Sequence, residues 1–237
     1  MWFQIIKERM VLLQAIKTQT LYDLSHTIAA ELLARTEFPW EALPQIHDFL
    51  LALGQTLPAD RFDHPQEDVW IARSATVART ASISGPCIID ENAEIRHCAF
   101  IRGNALVGKG CVVGNSTELK NVILFDRVQV PHYNYVGDSI LGFASHLGAG
   151  AITSNVKSDK TPVSVGLGES RILTGLKKMG AMVGDFVEVG CNSVLNPGTV
   201  IGRNTNVYPT SCVRGILPAN HIYKDQNTIV PKCPKNG

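Results

Sequence analysis

An excess of charge of either sign is missing from this 237-residue chain. Its 22 Lys and Arg stand against 21 Asp and Glu, a formal net charge of +1. Neither a nucleic-acid nor a membrane partner is expected, because both are attracted by a surplus of positive charge. Aromatic residues are scarce, at 7%. No apolar run approaches the roughly 20 residues of a membrane-spanning helix. The opening MWFQIIKERM is charged and lacks the apolar centre of a secretory signal, so a cytoplasmic location is expected. The six cysteines (87, 98, 111, 191, 212 and 233) form no CxxC pair and no Cys/His metal spacing. They read as buried, reduced thiols, and no metal site is expected.

What is present divides the chain in two. Residues 1–57 read as helical, with apolar residues at helical spacing in MVLLQAIK, LYDLSHTIAAELLA and EALPQIHDFLLALG. Pro39 marks a helix start and Gly54 a helix stop. Residues 58–68 (PADRFDHPQED) are polar, hold two prolines and read as a linker. From residue 69 to about 225 the character changes, and residues 226–237 read as a tail.

In that long segment an aliphatic residue recurs every six positions, at Ile71, Val77, Ile83, Ile89, Ile95, Ile101, Val107, Val113 and Leu119. The frame continues with two shortened steps through Leu124, Val130, Val136, Leu141 and Leu147, and resumes from Val183 to Val213. Glycine often follows the aliphatic, and small or β-branched residues fill the position before the next strand. Chance cannot hold a six-residue frame for this long, so repeat architecture outranks local propensity. Each hexad supplies a short strand and a sharp turn. Three hexads close one triangular coil, and stacked coils pair as parallel strands about 4.8 Å apart. About six coils are expected. Residues 153–182 interrupt the frame with a basic stretch that reads as a loop or hairpin ejected from the solenoid, where binding groups tend to sit.

The densest departure from the repeat is residues 118–155. Its motifs are Glu118-Leu119-Lys120-Asn121, His132-Tyr133-Asn134-Tyr135-Val136-Gly137-Asp138 and Gly148-Ala149-Gly150-Ala151-Ile152-Thr153-Ser154-Asn155, with Ile101-Arg102-Gly103 before them. The intervals from Arg102 to Lys120 and from Lys120 to His132 are multiples of six, which predicts that the three share one wall on successive coils. With these motifs the chain resembles the acetyltransferase half of the N-acetylglucosamine-1-phosphate uridyltransferase family and its archaeal sugar-1-phosphate nucleotidylyltransferase-acetyltransferase relatives, over about residues 69–225.

The resemblance implies a mainly β fold, a left-handed parallel β-helix of hexapeptide repeats, with sites between the subunits of a homotrimer. It implies acetyl-CoA as co-substrate, an amino sugar 1-phosphate as acceptor and no metal in the transfer. An amino sugar must lose its ammonium proton to attack a thioester, and His132 is implied as the general base. Arg102, Lys120 and Tyr135 are implied in binding phosphate and sugar. Asn155 and a loop lysine, Lys160 or Lys157, would orient the sugar, and His146 would line the site. The backbone N–H near Ala149 would hold the thioester oxygen. Cys191 and Pro209 stand where the family tends to have small residues along the acetyl-CoA wall, and Lys224 falls near a basic CoA contact. Glu118 and Asp138 read as turn or orienting residues.

Departures from the family bound the reading. Residues 1–68 hold no Gly-rich nucleotide loop and are too short for a nucleotidyltransferase domain, so no nucleotide-sugar synthesis is expected. GLGES at 166–170 lacks the strand-to-helix setting of a phosphate loop. His97, His132 and His146 lack the paired spacing of a carbonic-anhydrase-like site. An O-acyltransferase acting on another sugar, and a non-catalytic trimeric scaffold or sugar-nucleotide sensor, remain as alternatives.

Overall fold

The computed structural model describes residues 11–166 and 171–233. The charged start of the chain, most of GLGES and the last four residues lie outside the described residues. From Val69 onward the chain winds into a parallel β-helix with three walls. On the first wall Val69–Ala72 pairs with Cys87–Ile89, which pairs with Ala105–Val107, and the series continues through the later halves of Glu118–Leu124 and Tyr135–Leu141 to Ala181–Val183, Thr199–Ile201 and Ile216–Leu217. The second wall runs from Thr76–Val77 to His221–Asp225. The third runs from Ser82–Ile83 to Cys212–Val213 and includes the first halves of the two seven-residue strands. The frame residues point inward and stack as ladders, for example Ile89, Val107, Leu124, Leu141 and Val183, all fully buried. Asn or Asp takes a left-handed backbone at many corners (Asn92, Asn104, Asn121, Asp138, Asn192, Asn204 and Asn220), a conformation those short polar side chains tolerate.

The solenoid has nearly eight coils rather than six. Thr153, a polar residue in an inward position, hides one hexad from an apolar count. Leu217 and Tyr223 extend the frame past Val213. The polar substitution has a use: Thr153 Oγ1 accepts the Gly137 N–H at 2.9 Å, and the neighbouring Ser139 Oγ accepts the Ala181 N–H at 3.0 Å. Buried backbone donors where the chain leaves and re-enters the coil are thereby satisfied. The ejected segment is a hairpin, with Ser164–Val165 antiparallel to Ile172–Leu173. It departs after Thr153 and returns at Ala181.

Two further expectations are corrected. The linker contains a strand, Phe62–Gln66, that pairs antiparallel with Val69–Ala72. The tail holds Thr228–Pro231, which pairs antiparallel with His221–Asp225. An open coil end would present unpaired backbone groups, and each of these antiparallel strands covers the end strand of one wall, the first wall at the start and the second at the finish. Pro65 is tolerated because its strand is an edge. The N-terminal helices therefore do not cap the first coil.

They cover the first wall instead. On that wall the outward positions are apolar as well: Trp70, Ile88, Leu106, Ile123, Ile140, Met182, Val200 and Ile216 are successive register partners. The N-terminal segment forms short helices, Thr18–Leu21, Ala30–Ala34 and Ile46–Gly54, with 3-10 turns at Leu24–His26 and Pro39–Gln45. Its buried Tyr22, Leu33, Leu43, Ile46 and Leu50 join the same core as that ladder. Gly54 lies flat on the Trp70 ring, where an added Cβ would sit 2.5 Å from ring carbons. Asp185, fully buried, fastens the segment by accepting the N–H groups of Asp23 and Phe143, each at 2.8 Å, and pairing with Arg203 at 2.7 Å.

The cysteines divide. Cys87 and Cys111 are buried, while Cys98, Cys191, Cys212 and Cys233 are exposed, because corners and outward-facing strand positions do not enter the coil interior. Burial pushes the Cys87 thiol up to about 12 and the Cys111 thiol well above its usual range.

Two outcomes are expected. Cys87 and Cys111 stay silent to a thiol-reactive dye in the folded protein and react only in denaturant, because the thiolate is the reacting form. Ile123→Ala, deep in the seam between wall and helices, lowers stability by about 2–5 kcal/mol in urea unfolding.

Candidate functional site

Stacking decides which side chains share an edge, and the edge of the third wall nearest the first gathers one group of the expected residues. Arg102 follows Ile101, whose register partner is Leu119, so it lies beneath Lys120. Lys120 in turn pairs with Gly137 of the fourth coil. Beside this column the Asp138 carboxylate, only 5% exposed, gathers three donors. Asn121 Nδ2 donates to it at 2.9 Å, Asn155 Nδ2 at 2.5 Å and Lys120 Nζ at 3.4 Å. Asn155 Nδ2 also lies 3.1 Å from the Tyr135 hydroxyl. Gly137 makes room for this meeting: a Cβ there would stand 2.5 Å from the Tyr135 oxygen and 3.0 Å from the Asn155 amide.

Lys120, Tyr135 and Asn155 thus converge, with Asp138 as their orienting hub. Asn121, which was not singled out in the sequence, completes it. Its left-handed φ of 55° was a hidden signal, since Asn at a corner reads first as turn chemistry. Arg102 donates to Glu118 at 2.7 Å and its guanidinium carbon lies 5.9 Å from the centre of the Phe100 ring. The Glu118 hydrogen bond raises the Arg102 pKa, and burial followed by the charges of Asp138 and Glu118 raises that of Tyr135. The Tyr135 hydroxyl is therefore a proton-bearing group at neutral pH.

His132 does not stack on Lys120. Twelve residues are two thirds of a coil, so the same spacing that keeps the hexad frame moves the side chain to another strand. The register partner of His132 is Asn115, and both end second-wall strands at the corner where that wall meets the far edge of the third. There it heads a second column: Gly150 N–H donates to the His132 carbonyl, Asn192 N–H to that of Ala149 and Thr210 N–H to that of Cys191. His132, Ala149, Cys191 and Pro209 accordingly occupy one edge on successive coils. On the last coil the register puts Asp225 in this column, while Lys224, one residue past the Val207–Tyr223 pair, stacks on Tyr208 beside it. The His132 imidazole is exposed and makes no hydrogen bond among the described residues. Buried Asn134 fixes the corner by accepting the His132 N–H and donating to the carbonyls of Gly148 and Ala151, both at 2.9 Å.

Two expected residues stand apart from both columns. His146 Nδ1 lies 2.8 Å from Glu188 Oε2 on the outer face of the second wall, where their register pairs them. Lys160 is exposed on the ejected loop without a contact to the Asp138 cluster. Lys157, its alternative, lines a cavity between that loop and the solenoid. Among the described residues no group of three or more His, Cys, Asp or Glu is placed to hold a metal ion, and no helix is long and apolar enough to cross a membrane.

A family model described as the GMPPB C-terminal domain matches residues 83–230. The bifunctional protein GlmU of Methanococcus maripaludis is 32% identical over 178 residues, covering 67% of this chain and 43% of that protein. The bifunctional sugar-1-phosphate nucleotidylyltransferase/acetyltransferase of Sulfurisphaera tokodaii is 32% identical over 174 residues, 66% of this chain and 43% of that protein. The uncharacterized acetyltransferase YaiX of Escherichia coli is 32% identical over 156 residues, 66% of this chain and 68% of that protein. The chain thus spans less than half the length of the bifunctional relatives and about two thirds of the third.

Replacing the hub tests the first column. Asp138→Ala leaves two amides and an ammonium without their shared acceptor, and is expected to cost about 1–3 kcal/mol of stability in thermal or urea unfolding. Glu118→Ala, at a half-exposed pair, is expected to cost under about 1 kcal/mol in the same measurement.

Proposed function

We propose, from the premise that this chain belongs to the GMPPB C-terminal domain family, that it is an acetyl-CoA-dependent acetyltransferase whose acceptor is an amino sugar 1-phosphate, glucosamine 1-phosphate first among them. The observation that carries the reading is the pair of columns that bound the third wall, one at its corner with the second wall and one at its edge towards the first. One edge presents an exposed, unengaged imidazole at the head of an exposed strip of corners. The other presents Lys120, Tyr135 and Asn155 held by Asp138. The relatives, two of them named acetyltransferases and two of them bifunctional, support the same assignment.

In this reading His132 takes a proton from the acceptor's ammonium, so that the free amine attacks the thioester carbon. The carbon–sulfur bond breaks as the new carbon–nitrogen bond forms, the thiolate leaves with the proton passed on by the imidazolium, and the surplus proton of the new amide nitrogen passes through the regenerated imidazole to water. An imidazole is suited to both transfers near neutral pH. The Ala149 N–H would face the developing oxyanion, while its neighbour Gly150 donates to the His132 carbonyl. The second column would carry the donor: four coil steps from His132 to Lys224 make roughly 19 Å, a length that suits an extended pantetheine arm. Cys191 and Pro209 narrow that strip, and Lys224 would meet a phosphate at its end. Lys120 and Arg102 would meet the acceptor's phosphate by exchanging their present carboxylate partners for phosphate oxygens. Three copies around a threefold axis would set the columns of one subunit against the loop of the next, with Lys160 and His146 available across that boundary. The protein would act in the cytoplasm and need no metal for the transfer.

The test is thiol release from acetyl-CoA with glucosamine 1-phosphate. His132→Ala is expected to lower kcat by about 10²-fold or more with the fold intact. Lys120→Ala is expected to raise KM for the sugar phosphate while leaving binding of acetyl-CoA unchanged. Free glucosamine is expected to fail as acceptor. Absence of thiol release with any amino sugar phosphate would sink the reading. Retained acetyl-CoA binding would then indicate another acceptor, and lost binding a non-catalytic scaffold.

A further inference from the structure

The arginines of this protein are nearly all spoken for. Among the described residues Arg35, Arg61, Arg73, Arg96, Arg102 and Arg203 each pair with a carboxylate. Arg127 lies over the Phe143 ring, 5.8 Å from its centre. Only Arg79, Arg171 and Arg214 have neither kind of partner. Two of those three line the same cavity of about 410 Å³, between the ejected hairpin and the solenoid. Around them stand Lys157 and the hydroxyls of Ser154, Ser158 and Ser164. The one carboxylate among the described lining residues, Asp159, is engaged by Lys157 at 3.5 Å and by the Thr161 hydroxyl at 2.8 Å. With Lys157 and Asp159 offsetting each other, the two guanidiniums give the described lining residues a net charge of about +2.

The cavity is built by close packing. Gly198, with φ +81°, lets the hairpin lie on the corner of the sixth coil, since a Cβ there would stand 2.4 Å from the Ser164 carbonyl oxygen. Val163, Val165 and Met179 anchor the hairpin in the core. Arg214 comes from the other side. It follows Val213, which stacks on Leu195 and through it on Thr153, so Arg214 continues the very column that begins with Arg102 and Lys120. Four coil steps separate Arg214 from Lys120, roughly 19 Å. A sugar monophosphate seated at Lys120 cannot reach it.

We propose that this cavity is a second anion site, separate from the Lys120 cluster, and that it takes a diphosphate group. Two forked guanidiniums with hydroxyl donors in the same lining match the several oxygens and the spread charge of a diphosphate better than they match a single carboxylate. The inference does not depend on acetyl transfer, and its test measures binding alone.

Inorganic pyrophosphate is titrated into the full-length protein by calorimetry at fixed ionic strength. One-to-one binding is expected. Arg214→Gln and Arg171→Gln are each expected to weaken it about 10-fold or more, the size of one lost charged hydrogen bond. Arg79→Gln removes the same charge from a partnerless arginine outside the cavity and is expected to change affinity less than about twofold, the scale of a screened distant charge. Both cavity arginines are exposed and contact no described group, so the variants are expected to melt with the wild type. Saturating glucosamine 1-phosphate is expected to leave pyrophosphate bound. Absence of pyrophosphate binding, equal weakening by Arg79→Gln and Arg214→Gln, or displacement by the sugar phosphate would each overturn the proposal.

Discussion

Position in this protein is set by one constraint: successive coils stack in parallel register about 4.8 Å apart, so a residue's neighbours are those one coil away rather than those six positions away. A coil is 16 to 18 residues long where nothing is ejected, as the pairs Val200–Ile216, Lys120–Gly137 and Cys87–Ala105 show. The 42-residue step from Ile140 to Met182 keeps the same register across the ejected hairpin. The buried donors at the exit are met by Thr153 and Ser139, which lets the hairpin leave without disturbing the ladder above and below. Loop insertion and wall continuity are therefore two results of one local hydrogen-bond arrangement.

The same stacking explains why the solenoid carries a helical cover. A wall that is apolar inside and polar outside is finished by itself. The second wall is close to that state, with Glu94, Gln129, His146, Glu188 and Asn206 outward. The first wall is apolar on both faces, and its outer ladder would expose a strip from Trp70 to Ile216. The N-terminal helices are short and individually marginal, and they gain their stability by burying that strip. Asp185 adds a polar anchor at the point where Tyr22 and Asp23 cross the fifth and sixth coils.

Much of this was legible in the sequence, and the failures share a cause. The hexad frame specified the solenoid, its interruption and the dense motif from Glu118 to Asn155. What it concealed was phase. Multiples of six preserve inwardness but rotate a residue among three walls, which is why Lys120 and His132 end on opposite edges. Reading every eighteenth residue would have separated the columns. It would also have exposed the outer ladder of the first wall, since Trp70, Ile88 and Leu106 recur at that period. The strands that close the ends were hidden differently. Phe62–Gln66 is polar because it is an edge, and an edge strand with a proline looks like a linker.

Charge along the edge shared by the third and first walls gives the columns their chemistry. At its lower end the cations are already matched, Arg102 by Glu118 and Lys120 by Asp138. Such a pair holds a side chain in place and keeps it available to a ligand that offers better geometry than the carboxylate. A monoanion arriving there competes with an existing partner, and binding is governed by how well its oxygens replace those of Glu118 and Asp138. At the upper end, Arg171 and Arg214 have no partner to exchange among the described residues. A ligand there meets two uncompensated charges and gains their full attraction, limited only by the water and salt it displaces. Anions of equal charge therefore sort along one column by what is already bound to its cations: the matched end selects for shape, and the unmatched end for charge.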